Sequence, residues 1–348
     1  MAASGVTALV VAGPSGLVEH DGGPRHPERP ARIVSVMEGV GALGSEHEVI
    51  SPAFAEASMD ELARVHDPLY LASLASFCAE GGGDIDADTY ARPDSWPAAR
   101  RAAGAGLAAL QALEQRGEGV AFVPVRPPGH HATARQAMGF CLVNNVAVAA
   151  ASRTALGERV LIVDWDVHHG NGTQDIFWDD PDVLYVSTHQ HPLYPGTGRP
   201  DEVGGLGAPG LTLNLPVPPG ATGDVLRAAL DQEARATIEE FEPDWVLVSC
   251  GFDAHRDDPL SDLQLSSGDF AELARIVCGF APRPGRLALF LEGGYQHAAL
   301  ASSVEATLRA LLGGRGTTSA PTNGGPGLDQ LRADGTARRR AVEGAGSA

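Results

Sequence analysis

The sequence of 348 residues contains no lysine, so every basic side chain is an arginine or a histidine. This absence excludes enzymes that form a Schiff base on lysine and proteins that bind nucleotides through a P-loop lysine. Its four cysteines are scattered and form no C-x-x-C pair, which argues against a disulfide framework or a thiolate zinc site and favours a cytoplasmic protein. We expect neither a transmembrane helix nor a signal peptide, because long apolar runs and a basic N-terminal segment are both missing.

Acidic side chains outnumber basic ones, and the formal net charge is −19. Nucleic acid and anionic membranes repel such a chain, so we expect neither as a partner, whereas a cationic partner would be attracted. Hydrophobic residues make up 43% of the sequence, which is enough for a sizeable buried core. Nothing in the pattern indicates an oligomeric state.

Short apolar runs alternate with stretches rich in alanine and leucine. The predicted strands are residues 6–11, 120–125, 160–164, 183–187, 211–215, 245–249 and 287–291. The predicted helices are residues 96–116, 144–156, 223–241, 267–280 and 297–312. Most strands are continuously apolar, which is typical of a parallel sheet covered by helices on both faces. The sequence therefore predicts a single α/β domain with a mostly parallel sheet.

The composition changes near residue 313, where Gly, Ser, Thr, Pro and Arg become dominant. We therefore predict a catalytic domain over residues 1–312 and a mostly disordered tail over residues 313–348, with a short helical turn near residues 328–333.

Polar residues follow four of the predicted strands directly. The segments are RPPGHH at 126–131, WDVHHGNG at 165–172, CGFD at 250–253 and EGGY at 292–295. Because parallel strands end at the same edge of a sheet, these segments should meet in one crevice, where open α/β sheets bind their ligands.

Asp166 and His168 form a candidate metal pair, since side chains two residues apart in an extended chain point the same way. Asp253 would complete a set of three protein ligands and leave one position open. This arrangement is typical of catalytic zinc, which lowers the pKa of a bound water to about 7 and polarises a carbonyl.

His130 and His131 are candidates for proton transfer, and each needs a partner that fixes its tautomer. Asp164 and Asn171, in the neighbouring segment, are candidate partners. Tyr295 follows two glycines, which let the backbone bend close to a ligand. Its hydroxyl could therefore donate a hydrogen bond to a developing oxyanion.

Taken together, these segments resemble the histone deacetylase family, which has the arginase–deacetylase fold. The motifs that carry the resemblance are RPPGHHA at 126–132, DWDVHHGNG at 164–172, YPGTG at 194–198, GFDAHRDDP at 251–259 and LEGGY at 291–295, with HPER at 26–29 and GFCLVNN at 139–145. The resemblance covers roughly residues 6–312. It implies Zn²⁺ on Asp166, His168 and Asp253, with His131 as the main base, His130 as its partner and Tyr295 as the oxyanion donor.

The resemblance also implies a narrow substrate tunnel and a structural K⁺ ion. The tunnel would be lined in part by Gly139, Phe140, Tyr194 and Leu260. The K⁺ would lie near Asp164, Asp166, His168, Ser187 and Thr188.

Two positions help to place the chain within the family. Asn171 stands where the first class of these enzymes has Asp, and Asn there is typical of the second class and of many bacterial members. Leu260 stands where polyamine-specific relatives can carry a Glu at the rim, which weakens a polyamine interpretation, although the acidic chain would still attract a polyamine.

The leading hypothesis is deacetylation of acetyl-lysine in a protein, and the nearest alternative is hydrolysis of an acetylpolyamine or another small acetylated amine. A non-catalytic zinc module that binds acetylated partners would be expected to lack a ligand or the tyrosine, and here all are present. The ureohydrolases of the same fold need two manganese ions and an Asp-x-His-x-Asp order, whereas residues 164–168 have Asp-x-Asp-x-His.

Overall fold

The fold is built around one eight-stranded sheet in the computed structural model, which describes residues 8–13, 20–45, 47–314 and 319–345. In chain order the strands are β1 (Ala8–Val11), β2 (Glu48–Ile50), β3 (Gly83–Asp84), β4 (Tyr90–Ala91), β5 (Val120–Val123), β6 (Val160–Asp164), β7 (Val183–Gln190), β8 (Thr212–Val217), β9 (Trp245–Cys250) and β10 (Leu287–Leu291). The sheet has the order β2-β1-β5-β10-β9-β6-β7-β8, and all neighbouring strands are parallel. β3 and β4 form a separate antiparallel pair.

Helices occupy most of the connections between these strands. In chain order they are α1 (Ala31–Gly41), α2 (Met59–Leu62), α3 (Pro68–Ala79), α4 (Ser95–Arg116), α5 (Asn145–Thr154), α6 (Asn171–Ile176), α7 (Gly223–Ala228), α8 (Arg235–Phe241), α9 (Ser267–Cys278), α10 (His297–Leu311) and α11 (Leu328–Ala345). A π-helical segment, Ala229–Ala234, joins α7 to α8. Among the described residues, no helix has both the length and the apolar character needed to cross a membrane.

Two hydrophobic cores lie on opposite faces of the sheet. One contains residues of α1, α9, α10 and the helical segment 223–241, and the other contains residues of α3, α4 and α5. Every residue of β5, β6, β9 and β10 is buried, because these strands lie in the middle of the sheet and are covered on both faces. The predicted parallel sheet between two helical layers is therefore confirmed.

The structure differs from the sequence prediction in two helices that were not predicted, α1 and α3, and in several short elements. β2, at the edge of the sheet, has only three residues and exposed or half-exposed side chains, so it lacks the continuous apolar run that marked the other strands. β7 continues to Gln190, three residues beyond the predicted end, although its last three residues are polar. Residues 6–7 of the first predicted strand lie outside the described residues.

The prediction of a mostly disordered tail is wrong for residues 319–345. Helix α11 has 18 residues instead of a short turn near residues 328–333. Leu331 is buried against the main core, and the buried Arg338 guanidinium donates to the main-chain oxygen of Asn214 at 2.8 Å. Ahead of the helix, the Thr322 amide and hydroxyl donate to the buried Asp269 carboxylate. The contacts of Leu331, Arg338 and Thr322 with buried residues thus hold a segment whose composition is polar.

Candidate active site

The four segments that follow β5, β10, β9 and β6 lie side by side, because these strands are consecutive in the sheet and parallel. Their carboxyl ends deliver histidine, aspartate and tyrosine side chains to one crevice. The sequence predicted that these segments share one edge of the sheet. The strand order explains why residues far apart in the chain, such as Asp166 and Gly293 at 127 positions, come within hydrogen-bonding distance.

Asp166, His168 and Asp253 form one cluster, in which three ligand atoms lie within 4.8 Å of one another. Nδ1 of His168 is 3.1 Å from Oδ1 of Asp166 and 3.3 Å from Oδ2 of Asp253. Burial alone would lower the pKa of His168, but its close contacts with the two carboxylates outweigh burial and raise the pKa to about 10. The two buried carboxylates therefore draw a positive charge to the point between them.

The same cluster suits a divalent cation. Oδ1 of Asp253 accepts the Val167 amide at 2.9 Å, whereas the fully buried Oδ2 lies 3.3 Å from Nδ1 of His168 and accepts no hydrogen bond of good geometry from the described residues. A buried carboxylate oxygen without a hydrogen bond is costly unless an ion or water satisfies it. A β-carbon at Gly293 would collide with the Asp253 carboxylate, so a glycine there keeps the space beside the ligands open. Two carboxylates and one imidazole are also a donor set that zinc accepts.

His130 lies beside this cluster and is held from two directions. Its Nδ1 is 3.0 Å from Oδ2 of Asp164, and Asp164 also accepts the Tyr185 hydroxyl at 3.0 Å. Burial opposes a charge on His130, but Asp164 and then Asp166 outweigh it and raise the pKa of His130 to about 10. Nδ1–H of His130 therefore donates to Asp164, and this carboxylate favours the protonated form of the imidazole.

His131 has the opposite character. Its Nδ1 is 2.8 Å from Oδ1 of Asn171, whose amide nitrogen faces the sulfur of Met138 at 3.3 Å. With the amide in this orientation, Nδ1–H of His131 donates to Asn171 and Nε2 keeps its lone pair. Burial, and then the charges of His130 and His168, hold the pKa of His131 well below its ordinary value. His131 is thus the neutral histidine of the site, with Nε2 free to accept a proton.

Tyr295 follows β10 and contacts Arg32 and Phe140. The Arg32 guanidinium carbon lies 4.8 Å from the centre of its ring, and the Phe140 ring centre is 5.8 Å away. Burial raises the pKa of Tyr295 well above its ordinary value, Arg32 opposes this rise, and Asp253 adds to it. The hydroxyl therefore keeps its proton and can serve as a hydrogen-bond donor.

Comparison with known proteins agrees with this geometry, since residues 26–311 match the histone deacetylase domain. The chain belongs to the histone deacetylase family. It is 37% identical to a histone deacetylase-like amidohydrolase of Pseudomonas aeruginosa over 300 residues, which cover 85% of this chain and 78% of that protein. A probable deacetylase of Archaeoglobus fulgidus is 39% identical over 284 residues, which cover 80% of this chain and 79% of that protein.

The fold of this family member is also found in a solved structure. The crystal structure of the HDA15 HD domain matches with a TM-score of 0.86 and 32% sequence identity, covering 98% of this chain and 99% of that one. This match confirms the predicted arginase–deacetylase fold. Family membership supports an enzyme that hydrolyses acetyl amides.

Several residues that shape the site of this deacetylase were not predicted from the sequence. Oε2 of the buried Glu292 accepts the amides of Gly129 at 2.6 Å and His130 at 3.2 Å, and its Oε1 accepts the Ser249 hydroxyl at 3.1 Å. Glu292 therefore joins the ends of three strands. Its position directly after β10 was visible, but no pattern in the sequence indicated which backbone it would bind.

A buried ion network lies beneath Tyr295. Glu28 accepts Nη1 of Arg32 at 3.0 Å and Nε of Arg126 at 2.5 Å. Arg32 also donates to the main-chain oxygens of Glu292 at 2.5 Å and Gly294 at 2.6 Å. The network thus fixes the backbone that precedes the catalytic tyrosine candidate. HPER contains Glu28, yet the role of Arg32, three residues beyond that motif, had no signal in the sequence.

Asp258 connects the Tyr295 segment to the loop that follows Asp253. Its Oδ2 accepts the amides of Tyr295 at 2.7 Å and Gln296 at 3.2 Å, while Oδ1 accepts the Leu260 amide at 3.1 Å. Asp258 is only 6% exposed. Although it lies within the GFDAHRDDP motif, only the structure shows which segments it joins.

Three of the residues predicted to line the tunnel lie against site residues: Gly139, Phe140 and Tyr194. Phe140 has a φ of 68° and faces Tyr295, and a β-carbon at Gly139 would collide with the His131 ring. Glycine at 139 therefore lets this wall approach the neutral histidine closely.

Tyr194 packs against His131, whereas Leu260 is linked to the site through its amide, which donates to Asp258. The Tyr194 ring centre is 5.2 Å from that of His131, the residue is 38% exposed, and Leu260 is half-buried. Burial raises the pKa of Tyr194, and the negative charges of Asp88 and Asp86 raise it further. Two carboxylates therefore act on the Tyr194 hydroxyl.

Proposed function

We propose that this family member is a zinc-dependent deacetylase that hydrolyses the N-acetyl amide of acetyl-lysine in proteins. The main support for the proposal is the cluster of Asp166, His168 and Asp253. The same crevice also holds a neutral histidine, His131, and a protonated tyrosine, Tyr295. A metal cluster, a proton acceptor and an oxyanion donor in one crevice are the parts that amide hydrolysis requires.

Asp166, His168 and Asp253 would hold the zinc, and Oδ2 of Asp253, which accepts no hydrogen bond of good geometry from the described residues, supports this assignment. Zinc with an open coordination position supplies Lewis acidity to the acyl oxygen and to an attacking water. Binding would displace the proton on His168, because a metal ligand must be deprotonated. We further propose the structural K⁺ near Asp164 and Ser187, which are paired in the register of β6 and β7.

His131 and Tyr295 would perform the proton and hydrogen-bond steps. The attacking water gives its proton to Nε2 of His131, the nitrogen that the hydrogen bond to Asn171 leaves free. The Tyr295 hydroxyl donates to the acyl oxygen as negative charge develops there. His131 then transfers its proton to the leaving nitrogen, while the His130 imidazolium, held by Asp164, stabilises the negative charge.

A second candidate substrate class is the acetylated polyamines. The apolar Leu260 supports acetyl-lysine, since a polyamine would gain no ion pair from it. Asp86 and Asp88 near Tyr194, together with the net charge of −19, support a cationic small amine instead. We propose acetyl-lysine as the preferred substrate because a rim carboxylate exposed to water adds only about 0–1 kcal/mol.

Acetate release from matched substrates tests the proposal. The zinc-loaded protein should hydrolyse acetyl-lysine peptides with a higher kcat/KM than N-acetylated polyamines. A higher kcat/KM for the polyamines would overturn the substrate assignment, and a lack of activity on both classes would overturn the proposed function.

A further inference from the structure

A buried polar network lies behind the loop that carries Tyr194. Its centre is His169, the histidine that follows His168 in sequence. Nδ1 of His169 is 2.8 Å from the Thr197 hydroxyl, and Nε2 is 3.0 Å from Oε1 of Gln174. His169 is 1% exposed and has no place in the proton transfers proposed above, so it requires another explanation.

The partners of Gln174 fix the orientation of the network. Nε2 of Gln174 donates to Oε2 of Glu202 at 2.7 Å, and its Oε1 accepts Nδ2 of Asn214 at 2.7 Å. Because Oε1 of Gln174 is an acceptor, His169 must donate to it through Nε2–H. Nδ1 of His169 then accepts the proton of the Thr197 hydroxyl. Burial, and then His189, hold the pKa of His169 well below its ordinary value, which agrees with a neutral ring.

The network holds the loop at two consecutive residues, Thr197 and Gly198. Oε2 of Glu202 also accepts the Gly198 amide at 3.1 Å, and Nε2 of His189 is 2.9 Å from the Gly198 main-chain oxygen. Gly198 has a φ of 85°, and a β-carbon there would collide with the rings of both His169 and His189. A residue with a side chain could not bring the loop this close to the two histidines.

Tyr194 lies three residues before Thr197 in this loop, and its ring packs edge-on against His131. We propose that the His169 network positions Tyr194 as a wall of the substrate tunnel, with Thr197 and Glu202 as positioning residues. The inference rests on the proposed function, because it assumes that Tyr194 contacts the alkyl chain of the substrate. Loosening the loop would then raise KM more than it lowers kcat, because Asn171 still holds His131 and Asp258 still holds the Tyr295 backbone.

Thr197→Val tests the inference with little risk to folding, because Thr197 is exposed and valine has a similar shape. The variant should raise KM for an acetyl-lysine peptide about 3-fold to 10-fold, which is the range expected for one lost hydrogen bond, with a smaller change in kcat. Thr197→Ser keeps the hydroxyl and should retain the wild-type KM. Glu202→Ala cuts the network at a different point and should raise KM in the same way.

A double-mutant cycle with Tyr194→Ala separates positioning from general damage. If Thr197 acts through Tyr194, adding Thr197→Val to Tyr194→Ala should not raise KM further. An unchanged KM in Thr197→Val alone, or an additive rise in the double variant, would overturn the inference.

Hydrogen exchange provides a readout that does not depend on activity. In the zinc-loaded protein without substrate, the peptide containing residues 194–198 should exchange faster in Thr197→Val than in the wild type or in Thr197→Ser. Equal exchange rates would overturn the positioning role. A wild type that hydrolyses no acetylated substrate would instead overturn the proposed function, and the exchange result would still decide whether the network holds the loop.

Discussion

Replacing Asp258 by asparagine should slow catalysis, although Asp258 lies outside the metal cluster. Its two carboxylate oxygens accept amides from two segments: Leu260 on one side, and Tyr295 and Gln296 on the other. Asparagine has only one acceptor oxygen. Its side-chain NH2 group would therefore face the backbone N–H groups of one of the two segments and could not accept their hydrogen bonds. The variant therefore breaks the link between the Asp258 loop and Tyr295 while it keeps the size of the side chain.

The size of the effect follows from the buried amides that lose an acceptor. An unsatisfied buried donor costs about 1–3 kcal/mol, which corresponds to about a 5-fold to 150-fold lower kcat if the transition state bears the whole loss. Complete removal of an oxyanion donor lowers kcat about 100-fold to 1000-fold. A substitution that acts only by misplacing Tyr295 should not lower kcat by more than this.

The assay is kcat for acetate release at pH 8. Burial raises the pKa of Asp258 to about 7, so the carboxyl group is ionised at this higher pH. Asp258→Asn, Tyr295→Phe and the double variant are compared with the wild type, and thermal unfolding checks that each is folded. The double variant should be no slower than Tyr295→Phe alone. Independent, multiplicative losses would refute the argument that Asp258 acts by positioning Tyr295.

Three further predictions follow from other parts of the structure. Leu260→Glu should shift the ratio of kcat/KM values toward acetylpolyamines, and an unchanged ratio would remove this residue from substrate selection. Leu331→Ala should lower the free energy of unfolding by about 2–5 kcal/mol in urea denaturation, because this α11 side chain is buried, whereas the exposed Arg332→Ala should have little effect. After metal removal, the contribution of Glu292 to the free energy of unfolding, measured as the difference between the wild type and Glu292→Gln, should fall as the pH rises from 4.5 to about 7, because burial raises the pKa of Glu292 from 4.5 to about 7 and the folded chain keeps a proton that the unfolded chain has released. A rise in this difference over the interval would contradict that sign.

The parts of the site that follow from local sequence were predicted well. Asp166, His168 and Asp253 come directly after buried strands, and strand ends are easy to locate when the strands are continuously apolar. The pairing of His130 with Asp164, and of His131 with Asn171, was predicted from segments that follow one another along the chain, although β10 and β9 lie between their two strands in the sheet. The chemical roles of these residues remain predictions until the variants are measured.

The supporting contacts could not be predicted, because they join residues far apart in sequence. Arg32 binds the main chain of Glu292 across about 260 residues, and Asp258 binds Tyr295 across 37. Such contacts depend on the order of strands in the sheet, which the alternation of strands and helices does not specify. The same reason applies to α11, where Arg338 reaches the main chain of β8 from a segment whose composition resembles that of a disordered tail.

The most direct test of the central claim is the metal content of the purified protein, measured together with its deacetylase activity. One zinc per chain is expected, and Asp253→Ala should lose both the zinc and the release of acetate from an acetyl-lysine peptide, because two protein ligands make a poor zinc site. Two transition metals per chain, or full deacetylase activity in metal-free protein, would contradict the account.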